Sequence, residues 1–122
     1  MEDNRGWQAD GLLDRGRALL GLNDSAQAAK DAEASLALQP QGRTLAGLNI
    51  LLGDLALKAG DAKTAAGKYL IVVGFHEDKE LKPLAIHQLI QALEKQNDQA
   101  EAAKYRQQLQ NEFPNWKAPV RN

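Results

Sequence analysis

Cysteine is absent from this chain, which excludes disulfide bridges and every thiolate metal site. Aromatic residues make up only 5% of a sequence that is 43% hydrophobic, so any core must be built largely from Leu and Ala. Neither sign of charge dominates: 15 basic residues face 16 acidic ones, with no block of five or six like charges. That pattern leaves no electrostatic footprint for nucleic acid or an anionic membrane. No stretch approaches the roughly 18 apolar residues of a membrane span, and the start, Met1 to Arg5, is acidic and polar where a secretory signal is basic and then apolar. The reading is a protein without membrane insertion, in the cytoplasm by default or else a piece of a larger or exported protein. Its 122 residues fit one domain, 1–122.

What the chain does have is a repeat. Asn23-Asp24, Gly60-Asp61 and Asn97-Asp98 stand 37 residues apart and then 37 again, each followed at one distance by Ala28, Ala65 and Ala102. Pro40 and Pro114 continue the first and third units. A period of this size marks a repeat array. Apolar residues recur at helical spacing over about 8–22, 25–38, 44–59, 62–75, 82–96 and 99–112. The dipeptides then have a mechanical meaning. Asn or Gly tolerates the left-handed backbone that ends one helix, and the following Asp N-caps the next. Gln27 and Glu101, three residues after their Asp, complete a capping box, and Thr64 holds the same place in the middle unit.

The result is an all-α fold of three antiparallel helical hairpins, about 7–40, 44–77 and 82–114, with an extended tail over 115–122. The third helix is apolar nearly all round, from Leu45 to Leu57, and must be covered on several sides. The last is polar apart from Ala103, Tyr105 and Leu109 and suits an exposed end. Trp7 and Trp116 bracket the array and read as apolar lids over the terminal hairpins, with Phe113 helping the second.

The residues Leu52-Gly53, Gly60-Asp61, Ala65 and Tyr69 fall at the spacing of the tetratricopeptide repeat, which this chain resembles over about residues 7–116. Gly16, Asp24, Ala28 and Pro40 match in the first unit, and Asp98, Ala102 and Pro114 in the third. Ile90 stands where the small glycine is expected, which puts tight packing of the third hairpin in question. The family period is 34, so the three extra residues fall between hairpins, around Gln41 to Arg43 and Glu77 to Leu81. The resemblance implies a right-handed α-α superhelix that binds a segment of another protein on its concave face.

Carried over by position, that face comprises Leu13, Arg17 and Leu20, then Ile50, Asp54, Leu57 and Lys58, then His87, Gln91, Glu94 and Lys95. Some relatives hold a terminal carboxylate with Lys and Asn side chains. The equivalent places here carry Leu13, Ile50 and His87 and then Arg17, Asp54 and Gln91, so an acidic chaperone tail is not expected. On the convex side Leu70 and Ile71 stand where relatives carry charge. They suggest either a homodimer or a partner on the convex side, or else cover from the next hairpin.

Signals for catalysis or cofactors are thin, and the expectation is a protein that is not an enzyme and carries no cofactor or metal. His76-Glu77-Asp78 near Glu80 reads as a solvated linker because consecutive residues lack the spacing of ligands on one helix face. His87 has no Ser or Cys nearby to make it a base, and no glycine pattern cradles a phosphate.

Overall fold

The computed structural model describes residues 4–119, so the acidic start at Met1 to Asp3 and the tail end, 120–122, lie outside the described residues. Six α-helices follow one another: α1 (Arg5–Gly21), α2 (Ser25–Ala37), α3 (Gly42–Lys58), α4 (Ala62–Phe75), α5 (Leu81–Lys95) and α6 (Gln99–Glu112). There is no strand among the described residues. No helix is long and apolar enough to cross a membrane.

The three dipeptide turns share one construction. Asn23, Gly60 and Asn97 take positive φ of 65°, 88° and 60°. The amide of each following Asp donates back to a carbonyl five residues earlier: Asp24 to Leu19 at 2.8 Å, Asp61 to Ala56 at 2.9 Å and Asp98 to Leu93 at 2.9 Å. This is a Schellman stop. The Asp carboxylate then accepts from the amide three residues on, Gln27 at 3.2 Å, Thr64 at 3.1 Å and Glu101 at 3.3 Å. One residue therefore finishes one helix with its backbone and starts the next with its side chain. The capping box expected at Gln27 and Glu101 does not close, because the Asp amide it would engage is already donated to the Schellman bond. In the middle turn the Thr64 hydroxyl adds a 2.7 Å bond to Asp61.

Each helix packs on its chain neighbours, and α1 also touches α3, which in turn touches α5. Among the described residues the even helices α2, α4 and α6 do not meet one another. Helix α3 is the hub. Its Leu48 and Leu51 join Leu13 and Ala32 in one apolar cluster, while Ala46 and Ile50 join Tyr69, Val72, Ile86 and Leu89 in another. A helix apolar nearly all round is thus covered on several sides, with Leu52, Leu55 and Leu57 left half-buried. Each buried Leu or Ile contributes about 2 kcal/mol, against about 0.5 kcal/mol for an exposed ion pair. Apolar packing around α3 therefore holds the helices together, and charges tune the joins.

Small residues sit where helices approach. A Cβ on Gly16 would stand 2.8 Å from a Leu51 methyl, and one on Gly53 would overlap the Tyr69 ring. Ala28, Ala65 and Ala102 are fully buried. The third unit differs at this contact. Ile90 replaces the glycine and is buried, and Arg106 takes the place of Tyr69, its side chain about half exposed and paired with Glu94 at 2.8 Å. Helix α6 still packs on α5, with Ala102 fully buried.

The extra residues between units are partly absorbed into helix. Gly42 and Arg43 open α3, and Leu81 opens α5. Arg43 reaches to the next connection and pairs with Asp78 at 2.6 Å and Glu80 at 3.3 Å. Asp78 also accepts from the Glu80 and Leu81 amides, each at 2.9 Å, so the connection expected as a solvated linker caps the start of α5 and is tied to the first turn of α3. Burial raises its carboxyl pKa, but these amides and the Arg43 guanidinium outweigh that and hold it below the ordinary carboxylate range.

Trp7 does not act as a lid. It is 86% exposed on the first turn of α1. Trp116 does cover its end, half-buried with its ring 5.4 Å from that of His87.

Candidate functional site

A groove of about 670 Å³ runs across α1, α3 and α5. Its lining follows the repeat register. Arg17, Asp54 and Gln91 are 37 residues apart, as are Leu20 and Leu57, Lys58 and Lys95, and Leu51 and Gln88, with Gly21 one period before Lys58. Three helices thus present the same turns to one surface, which is what equal spacing along a stack of equivalent helices produces.

The residues expected there divide into three groups. Arg17, Leu20, Asp54, Leu57, Lys58, Gln91 and Lys95 line the groove. Leu13 and Ile50 do not. They are 1% and 4% exposed, and both are closed into the two core clusters around α3. They stand one turn before Arg17 and Asp54 on the same helix faces, at a level where neighbouring helices cover them. His87 and Glu94 border a separate hollow of about 410 Å³, bounded by Arg106, Phe113 and Trp116.

The tail explains that division. After α6 the Trp116 amide donates to Phe113 at 3.1 Å, the indole rests on His87, and Pro119 borders a hollow with Leu84, His87, Gln88 and Gln91. The described part of the tail, expected to be extended and loose, folds back over α5. It leaves the groove open at α1 and α3 and narrows it at α5.

A chain of polar contacts spans the groove floor. The Tyr69 hydroxyl donates to Asp54 Oδ1 at 2.5 Å, and Gln88 Nε2 donates to the same oxygen at 3.0 Å. Gln91 Nε2 donates to Gln88 Oε1 at 3.3 Å and lies 2.8 Å from His87 Nε2. This network satisfies the one carboxylate in the groove from within the protein. The cations are treated differently. Lys58 donates to the neutral Asn23 Oδ1 at 2.5 Å, and Arg17 pairs with exposed Asp14 at 3.7 Å, its one ion pair among the described residues. Neither Lys58 nor Lys95 has a carboxylate partner among the described residues.

Position alone missed Gly21, Asn23, Leu51 and Gln88. Applying the 37-residue step to Lys58 and Leu51 reaches Gly21 and Gln88, so that signal was present. Asn23 needed the turn geometry, and Leu51 looked like core. Gly47 was also missed. A Cβ there would strike the Arg17 guanidinium and crowd Leu13, so this glycine seats Arg17 against α3.

On the outer side Leu70 is 41% exposed and Ile71 half-buried, so the following helices do not reach over them fully. Phe75, one turn beyond Ile71, is 83% exposed. No group of three or more His, Asp or Glu among the described residues could hold a metal ion. Compared with known proteins, the chain matches no family model, no curated protein and no solved structure.

Proposed function

We propose that this protein is a non-catalytic interaction or assembly module, a tetratricopeptide-like stack of three hairpins in one domain, that binds a segment of a partner protein along the groove across α1, α3 and α5. The observation that carries the reading is the coincidence of groove and register: seven lining positions expected from the repeat lie on one surface. The curvature has independent support. Among the described residues the odd helices touch in succession while the even ones stay apart, which supports reading the odd face as the concave side. A groove half apolar and half polar suits an amphipathic helix or an extended segment. Leu57→Asp places a charge on the groove wall and weakens partner binding, whereas Lys104→Ala on α6 leaves it unchanged. Equal effects of the two, with helicity intact, would remove the groove from consideration.

The exposure of Leu70 and Phe75 favours a second reading, self-association through the outer face of α4. It leads to concentration-dependent sedimentation that Phe75→Glu abolishes.

A further inference from the structure

Resting on the groove reading above, we infer that the segment this groove accepts is acidic as well as apolar: a peptide with Leu-type anchors on one side and carboxylates on the other. The chain as a whole carries one net negative charge, yet the groove gathers Arg17, Lys58 and Lys95 around a single carboxylate. That carboxylate, on Asp54, already accepts from Tyr69 and Gln88 and is turned to internal use. The two lysines have no carboxylate of their own among the described residues, although acidic side chains outnumber basic ones in the chain. Three like charges held along one groove repel, and a guest carboxylate relieves that repulsion while its apolar side covers Leu20, Leu51 and Leu57. Of these cations only Arg17 stands at a place equivalent to the relatives' terminal-carboxylate clamp, and the other equivalent places hold no cation. Lys58 and Lys95 stand at the ends of α3 and α5, so they read charges spaced along a segment and do not fix a chain end. A groove whose lining carries no aromatic ring for stacking favours a peptide over a nucleic acid strand.

The test is fluorescence anisotropy with two short labelled peptides that share one Leu/Ala pattern and carry Glu in one and Lys in the other at every polar position. The acidic peptide binds at least about tenfold tighter than the basic one, and less tightly as salt is raised. Lys95→Glu weakens it by a similar factor, and Lys95→Gln, which leaves folding untouched, by a smaller one. Equal affinity for the two peptides, both lost in Leu57→Asp, overturns the acidic guest and keeps the groove. Acidic binding indifferent to both Lys95→Glu and Leu57→Asp overturns the groove itself. Failure of both peptides to bind overturns the guest proposed here, as does single-stranded DNA binding as tightly as the acidic peptide.

Discussion

Tyr69 rests against the backbone of Gly53, and its hydroxyl donates to Asp54, the next residue on α3. One ring thus joins the packing of a hairpin to the floor of the groove. Tyr69→Phe removes the hydroxyl and costs about 1 kcal/mol. Gly53→Ala forces the ring to move and costs about 1 to 3 kcal/mol. Urea denaturation followed by circular dichroism measures both, and the account fails here if the alanine variant is as stable as the parent.

The stops between helices rest on left-handed residues. Asn97→Val, at φ 60°, lowers stability by about 1 to 2 kcal/mol, and Asn97→Gly leaves it unchanged or raises it. The same denaturation experiment separates them. Equal loss in both variants would show that the Asn side chain, and not the backbone, matters at this turn.

Acid should unfold the chain through its aspartates. Asp31 is 2% exposed and takes two 2.6 Å bonds from Arg15, with Gln27 adding a third at 3.2 Å. Arg15 bonding outweighs burial and holds the Asp31 carboxyl below its ordinary value, as at Asp78. A folded pKa below the unfolded value of about 3.9 gives stability that is fully present above it and lost as pH falls through the folded value. Thermal melts between neutral and acid pH should therefore fall steeply below about pH 4. Asp31→Asn lowers the neutral melting point and flattens that fall. An unchanged slope would assign the acid sensitivity elsewhere.

The two tryptophans report on the two ends. Trp116→Ala leaves only exposed Trp7, with emission typical of water and ready quenching by acrylamide. Trp7→Phe leaves Trp116 against His87, bluer and protected. Matching quenching in the two variants would mean that the tail does not lie on α5.

Much of the helical order was legible in the sequence because it rests on local chemistry. Asn23, Gly60 and Asn97 with their aspartates marked each turn, and the apolar face of α3 marked its central place. What the sequence concealed depends on long-range neighbours. Leu13 and Ile50 share a helix face with the groove positions one and two turns on but are buried, Leu13 against Leu48 and Leu51 of α3 and Ile50 in the cluster with α4 and α5. Trp7 carries the composition of a lid yet stands exposed, and His87 is taken by Trp116, almost thirty residues away in sequence. The capping boxes at Gln27 and Glu101 failed for a similar reason: a backbone bond to Leu19 or Leu93 already held the amide they needed.

The central claim, that a partner lies along α1, α3 and α5, is tested most directly by site-specific photo-crosslinking in cells that naturally contain the protein. A photoreactive residue replaces Leu57 in the groove or Leu70 on the outer face of α4. The account predicts a discrete heterologous adduct from position 57 that is lost when Lys95→Glu is added, and none of that species from position 70. Adducts from position 70 alone would contradict it.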